Sequence, residues 1–203
     1  MNAEKREPGI KSDERVFVVE DESLVAVGLQ SMLARLGYLR VRVFATAEEA
    51  LAKLELERPT LILMDIKLGP GMDGLAAARE VMERRPCPVI ITTAYAEEKY
   101  LQGAMQSHVF GYLVKPITVQ QLASAIALAK GRFAEFERLR AENQSLRETL
   151  ETRKLVERAK GILMEKRPLT EQQAYELLRS QSQEQSRPMG EIARRVIEAA
   201  EFL

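Results

Sequence analysis

Short apolar runs alternate with amphipathic stretches from residue 15 to residue 130. The runs are rich in β-branched residues and end at polar, glycine or proline positions, which is typical of buried strands. They lie at 16–19, 41–45, 61–64, 89–92 and 110–114. Helical spacing with one buried face occupies 23–36, 47–57, 74–84, 97–106 and the chain from Thr118 onward. Five successive βα units predict an α/β fold, a doubly wound parallel sheet with helices on both faces.

The chain after residue 130 has a different pattern. Residues 131–154 are rich in Glu, Arg, Leu and Gln and contain no proline, so we expect the last helix to continue through them. A 3-4-3-4 spacing predicts a coiled-coil dimer seam at Phe136, Leu139, Asn143, Leu146 and Leu150. A polar residue such as Asn143 at an a position fixes the register of a two-stranded pairing. The alternative is a long helix packed on its own domain.

Residues 155–203 predict three short helices. Pro168 ends the first, Thr170 and Gln173 form a capping box at the start of the second, and Pro188 separates the third. A small all-α three-helix bundle buries little core by itself. We therefore expect it to pack on the long helix or on a partner chain.

Composition narrows the class of protein. The 203 residues are 46% hydrophobic and 30% charged, as in globular proteins. Residues 1–14 form a polar tail without the apolar segment of a signal peptide, and no apolar run is long enough to span a membrane. We therefore expect a cytoplasmic protein without a membrane partner. Lys plus Arg and Asp plus Glu are 30 each, which excludes a globally basic nucleic-acid binder and leaves a local basic patch open.

Charged and polar side chains follow the predicted strands. Glu20 and Asp21 come after the first strand, Asp65 after the third, Thr93 after the fourth and Lys115 after the fifth. Ligands of open α/β sheets bind at the carboxyl ends of the strands, so we expect these side chains to converge.

This set of residues suits phosphoryl chemistry. Three converging carboxylates repel each other unless a divalent cation lies between them, and oxygen ligands suit Mg²⁺. A lysine and a hydroxyl suit the phosphoryl oxygens, and a central aspartate can act as a nucleophile that forms an aspartyl phosphate. Each residue alone has a structural alternative, such as a helix N-cap for Glu20 or Asp21; only the whole set points to phosphorylation.

Residues 15–130 resemble the receiver domain of two-component response regulators. The matching stretches are VFVVEDE, LILMDIKL, MDG, VIITTAY and GYLVKP. The resemblance implies a flavodoxin-like sheet with the strand order 2-1-3-4-5. It also implies that a cognate histidine kinase phosphorylates Asp65.

The same resemblance implies roles for the residues around the phosphorylation site. The implied Mg²⁺ ligands are Glu20, Asp21, Asp65 and the backbone carbonyl of Lys67. Thr93 and Lys115 would contact the phosphoryl oxygens as the catalytic partners of Asp65. Thr93 and Tyr112 match the family's switch pair, in which the threonine moves toward the phosphoryl group and the aromatic ring turns inward. The alternative for Tyr112 is a residue at the rim of the core, and Lys115–Pro116 matches the family's cis peptide bond.

The C-terminal part has local positive charge. Residues 153–195 contain ten Lys or Arg and six Glu, which by itself fits nucleic-acid binding and a solvated helical face equally well. The stretches ETRKLVERAKGILMEK, LTEQQAYELLR and RPMGEIARRVI resemble the ANTAR domain, the RNA-binding output module of transcription antitermination regulators. The resemblance implies binding to paired stem-loops in nascent leader RNA. The residues carried over as RNA-binding are Arg158, Lys160, Arg179 and, as a stacking residue, Tyr175.

Two stretches depart from the family patterns. The loop from Asp65 to Gly74 reads DIKLGPGMDG, one residue longer than the commonest receiver form, so its shape is less closely implied than the ligands. The run 182–186 reads SQEQS where ANTAR domains usually have an Ala-Met pair and basic residues. Some phosphate contacts of the family are therefore in doubt here.

The expected organisation is a flexible tail at 1–14, a receiver domain at 15–130, a coiled-coil linker helix at 131–154 and an overlapping ANTAR domain at 139–200. We expect a homodimeric regulator in which phosphorylation controls RNA binding and antitermination. The alternatives are a DNA-binding regulator and a protein-interaction module without RNA binding. DNA binding is disfavoured because the last helix is mostly apolar or acidic. An enzyme is not expected beyond self-phosphotransfer and slow autodephosphorylation, because His108 is the only histidine.

Overall fold

A five-stranded parallel sheet organises the first part of the chain. The structure, a computed structural model, describes residues 13–94 and 109–201. The strands are β1 (Arg15–Val19), β2 (Arg40–Phe44), β3 (Leu61–Asp65), β4 (Val89–Thr93) and β5 (Gly111–Val114). They pair in parallel in the order β2-β1-β3-β4-β5. The predicted doubly wound sheet and its strand order are confirmed, and the helix predicted at 97–106 lies outside the described residues.

Three helices alternate with these strands, namely α1 (Ser23–Arg35), α2 (Ala47–Glu57) and α3 (Gly74–Arg84). The side chains of Thr46 and Asp73 cap α2 and α3 by accepting hydrogen bonds from the first-turn amides. The N-cap of α1 is Glu22, whose side chain makes no capping hydrogen bond. Neither Glu20 nor Asp21 therefore caps a helix, which removes the structural alternative for these two carboxylates.

The sheet is buried on both faces by two hydrophobic clusters. Because successive strand residues point to opposite faces, Phe17 and Val19 join the cluster under α2 and α3, whereas Val16 and Val18 join the cluster under α1 and the long helix α4 (Val119–Lys166). The three central strands β1, β3 and β4 are therefore anchored on both faces, whereas the edge strand β2 buries only Phe44.

The helix α4 is 48 residues long and is followed by α5 (Glu171–Glu184) and α6 (Met189–Glu201). The sequence predicted a separate short helix after residue 154, but the structure shows one continuous helix up to Lys166. No proline interrupts 119–166, and added Cβ atoms at Gly131 and Gly161 would meet nothing within 4 Å. Single glycines cost a helix only about 1 kcal/mol, so flanking helix formers carry the helix through them.

The chain divides into two compact units, Met1–Phe136 and Glu137–Leu203. The second unit has its own small core, to which α4 contributes Val156 and Ala159, α5 contributes Leu178, and α6 contributes Ile192, Ala193 and Ile197. The predicted capping box of Thr170 and Gln173 is present at the start of α5. Among the described residues, no helix is long and apolar enough to cross a membrane.

Candidate functional site

Three carboxylates meet at the carboxyl ends of β1 and β3. One oxygen from each of Glu20, Asp21 and Asp65 lies within 4.8 Å of the other two. Glu20 and Asp65 are buried, whereas Asp21 is exposed. The parallel register places Val19 opposite Met64, so that the next residues along both strands stand side by side. The sheet therefore brings together the acidic residues that the sequence predicted to converge.

Lys115 lies against the two buried carboxylates. Its Nζ donates hydrogen bonds to Asp65 Oδ2 at 2.8 Å and to Glu20 Oε1 at 2.9 Å. Glu20 Oε2 is 2.8 Å from the same Nζ, but it is buried without a partner in hydrogen-bonding geometry. The backbone amide of Lys115 donates to the carbonyl of Thr93 at 2.8 Å, which aligns the end of β5 with β4. One ammonium group thus serves two carboxylates and leaves one acceptor oxygen unsatisfied.

Two side chains of this cluster, Glu20 and Lys115, have raised pKa values, for different reasons. Burial raises the pKa of Glu20 to about 7; the hydrogen bond from Lys115 opposes this shift, and the charge of Asp65 adds to it. Burial acts to lower the pKa of Lys115, but its hydrogen bonds to Asp65 and Glu20 outweigh this effect and raise it. The cluster holds more negative charge than one lysine balances. A set of carboxylate oxygens with an unsatisfied acceptor fits a hard divalent cation such as Mg²⁺.

A pocket of about 230 Å³ opens beside Asp65. Its lining includes four further predicted site residues: Asp21, Lys67, Thr93 and Lys115. Thr93 ends β4 and is only 2% exposed. Tyr112 does not line this pocket; it is partly buried and packs on the hydrophobic cluster under α2 and α3. The Lys115–Pro116 peptide bond is cis, as the resemblance implies.

Two glycines and the side chain of Glu48 shape the loop after Asp65. Gly69 and Gly71 adopt positive φ values of 48° and 136°, which favour glycine. The side chain of Glu48, in the first turn of α2, accepts a hydrogen bond from the backbone amide of Met72 at 2.8 Å. The paired glycines of GPG signal the turn, but no sequence feature distinguishes Glu48 from the other exposed acidic residues.

The residues predicted to bind RNA divide into two groups. Arg158, Tyr175 and Arg179 are exposed. Lys160 is only 7% exposed, and its Nζ lies 2.9 Å from Glu157 and 2.7 Å from Glu171. The structure therefore does not place Lys160 on the surface with the other three.

The residues of the predicted dimer seam also fall into two groups, exposed and partly buried. Leu139, Leu146 and Leu150 are between 50% and 59% exposed, and Asn143 is exposed. The remaining member, Phe136, packs against the rings of Phe110 and Phe133 in the first unit, with centroid distances of 5.7 and 6.3 Å. The first predicted seam position is thus used for packing within its own unit.

The two units match two known domain families. The response regulator receiver domain matches residues 16–127, and the ANTAR domain matches residues 144–197. Solved receiver domains share the fold of the first part. The receiver domain of a modulated diguanylate cyclase from Desulfovibrio desulfuricans is 33% identical, with a TM-score of 0.55, over 59% of this chain and 94% of its own. These matches define a response regulator.

Curated relatives place the chain more narrowly. The transcriptional regulatory protein PdtaR of Mycobacterium tuberculosis is 38% identical over 184 residues, which are 91% of this chain and 89% of that protein. The DNA-binding transcriptional regulator NtrC of Salmonella typhimurium is 36% identical over 121 residues, which are 59% of this chain but only 25% of that protein. The chain therefore belongs to the response regulators that join an N-terminal receiver domain to a C-terminal ANTAR domain.

Proposed function

We propose that this regulator is switched by phosphorylation of Asp65 and acts by binding hairpins of nascent leader RNA, which causes transcription antitermination. A histidine kinase supplies the phosphoryl group. One observation carries the receiver half of the proposal: Lys115 bridges Glu20 and Asp65 at the end of the sheet, beside an open pocket. The match of residues 144–197 to the ANTAR family supports the RNA half.

The proposed reaction is a transfer to the Asp65 carboxylate. An Asp65 oxygen forms a bond to phosphorus, the phosphorus–nitrogen bond to the kinase histidine breaks, and the imidazole nitrogen leaves with the electron pair. Lys115 turns from its carboxylate partners to a phosphoryl oxygen, and Thr93 donates its hydroxyl to another. Mg²⁺, when bound, neutralises charge on the phosphoryl oxygens. The residues that would hold Mg²⁺ are Glu20, Asp21, Asp65 and the Lys67 carbonyl.

The proposed switch involves Thr93 at the end of β4, the strand next to the one that ends at Asp65. A phosphoryl group adds charge and acceptor oxygens next to Thr93, which ends β4. Its side chain moves toward these oxygens, and Tyr112 on the neighbouring strand takes up the released space. This biases the arrangement of a homodimer, whose seam we place at the exposed leucines of α4.

The proposed output is RNA binding by the second unit. Arg158 and Arg179 are exposed and would contact phosphates, and the exposed ring of Tyr175 would stack on an unpaired loop base. Ala174 and Leu178 are buried on a different face of α5, and Leu178 packs in the small core.

Phosphorylation is tested with a small-molecule phosphodonor and Mg²⁺, followed by mass spectrometry of the intact chain. We expect wild type to gain one phosphoryl group and Asp65→Asn to gain none. Asp21→Asn should also slow the reaction, because it removes one proposed ligand without removing the acceptor. Phosphorylation of Asp65→Asn at the wild-type rate would refute the assignment of Asp65.

RNA binding is tested with fragments of the host transcriptome and of host duplex DNA, offered side by side at two salt concentrations. The protein is held with Mg²⁺ and beryllium fluoride as a phosphoryl mimic. We expect enrichment of leader RNAs with two hairpins near terminators. Enrichment of DNA alone, or of neither nucleic acid, would replace the proposed output with the DNA-binding or the protein-interaction alternative.

A further inference from the structure

We propose that Lys160 is a positioning residue, which fixes the start of α5 against α4 and makes no contact with RNA. The inference rests on the proposed RNA-binding function and assigns this one lysine a different role from the exposed cations. Lys160 is 7% exposed and lies on the side of α4 that carries the buried Val156 and Ala159, whereas Arg158 is exposed.

The ammonium of Lys160 joins two helices. Its Nζ donates to Glu157 Oε1 at 2.9 Å, one turn earlier on α4, and to Glu171 Oε1 at 2.7 Å, the first residue of α5. Both hydrogen bonds are charge-assisted and directional. The Lys160 side chain is 8% exposed, whereas those of Glu157 and Glu171 are 56% and 70% exposed, so solvent screens part of the attraction. These bonds raise the pKa of Lys160, so the lysine remains an ammonium at physiological pH.

The position of Glu171 gives this contact control over the exposed face of α5. Residues four and eight positions after Glu171 are Tyr175 and Arg179, and residues spaced by four lie along one face of a helix. A bond that holds Glu171 therefore fixes the rotation of α5 about its axis at that end. The same rotation decides where the ring of Tyr175 and the guanidinium of Arg179 point.

A phosphate contact by Lys160 has an electrostatic cost that comes from its two carboxylate partners. Nζ would have to release Glu157 and Glu171, and the phosphate would then lie beside two carboxylates. Removal of Glu171 would help a lysine that binds phosphate, because it frees the ammonium and removes a repelling charge. If Lys160 instead positions α5, the same removal would weaken RNA binding, because it breaks the hydrogen bond between Lys160 and Glu171. The two roles thus predict opposite signs for one substitution.

The first test measures RNA binding of the full chain with Mg²⁺ and beryllium fluoride. The probe is a fluorescent synthetic RNA of two stem-loops joined by a single strand. We expect Lys160→Met and Glu171→Gln each to weaken binding by roughly two- to fivefold, the scale of an ion pair whose carboxylate is exposed to solvent. The double variant should be no weaker than either single variant, since both remove the same contact. Tighter binding by Glu171→Gln would overturn the proposal.

The salt dependence of binding gives a second readout, with Arg179→Met as the matched control. A lost phosphate contact reduces the slope of log K against log salt concentration by roughly 0.7–0.9. We expect Arg179→Met to show this reduction and Lys160→Met to keep the wild-type slope. A reduced slope for Lys160→Met would make it a phosphate contact and overturn the proposal.

Hydrogen exchange of the free protein decides the proposal without RNA. We expect the amides of residues 171–178 to exchange several-fold faster in Lys160→Met and in Glu171→Gln, and at the wild-type rate in Arg179→Met, because local opening rises when a helix loses its tie. Unchanged exchange in both variants of the pair would overturn the positioning role. If wild type binds no RNA, the proposed function fails, and the exchange result still tests the contact.

Discussion

At the scale of single residues, Gly74 shows how closely the backbone is packed around the proposed phosphorylation site. A Cβ atom on Gly74 would lie 2.0 Å from the backbone oxygen of Asp65 and 2.9 Å from its carbonyl carbon. Its amide donates to the carbonyl of Ile66 at 2.9 Å, so α3 begins directly against the end of β3. The requirement for glycine here is a close approach between backbones, which a flexible side chain could not relieve.

We therefore expect Gly74→Ala to lower the free energy of unfolding of the receiver by about 1–3 kcal/mol, as overpacking in a tight site does, and to slow phosphorylation of Asp65. The control is Gly28→Ala in α1, where an added Cβ meets nothing within 4 Å. That variant should be more stable by about 0.5–1 kcal/mol, because alanine is the better helix former. Denaturant unfolding and phosphodonor assays measure both effects, and equal stability of the two variants would contradict the geometry.

The single cysteine gives a second prediction at this scale. Cys87 is 4% exposed, and its burial raises the pKa of the thiol to about 12. Only the thiolate reacts, so Cys87 should resist iodoacetamide at pH 8 in the folded protein and react when urea exposes it.

The raised pKa of Cys87 also makes the free energy of unfolding depend on pH. The folded state keeps the proton that the unfolded state releases near pH 8.5, so its contribution is complete below about pH 8.5 and declines as pH rises toward 12. Intact-mass spectrometry measures how fast iodoacetamide modifies Cys87 in the folded protein. Rapid modification of the native protein at pH 8 would show that the thiol is accessible.

At the scale of elements, α4 exposes a row of leucines that we propose as the seam of a dimer. Leu146 and Leu150 are 59% and 58% exposed. We expect Leu146→Lys to shift the protein from dimer to monomer, because it places a charge in a two-stranded apolar seam. The control is Leu24→Lys in α1, where the leucine is 86% exposed and stands outside the seam. Sedimentation velocity distinguishes monomer from dimer. A Leu146→Lys dimer as stable as that of wild type would contradict the proposed seam.

The same elements show what sequence could and could not predict. The strand ends were predictable, because a strand of four or five apolar residues is a local pattern and the parallel order fixes which edge carries Asp65. Phe136 has coiled-coil spacing, but it packs against the rings of Phe110 and Phe133 in the receiver core. The burial of Lys160 depends on a carboxylate eleven residues away on another helix, which no local spacing reveals.

At the scale of the whole molecule, one helix contributes to both cores. The helix α4 begins at Val119, shortly after Lys115, and places Leu122 and Ile126 in the hydrophobic cluster of the receiver. The same helix places Val156 in the core of the second unit. A change in the receiver that moves the start of α4 therefore acts on an element that the second unit needs for its own packing. Coupling between two sites requires such a shared element with two arrangements.

We expect this coupling to appear as an effect of phosphorylation on RNA affinity. The phosphodonor should tighten RNA binding by wild type within the 5–150-fold range common for allosteric coupling. Asp65→Ala should keep the weaker affinity with and without the donor. Equal RNA affinity of wild type and Asp65→Ala under phosphodonor would show that the two units bind their partners independently.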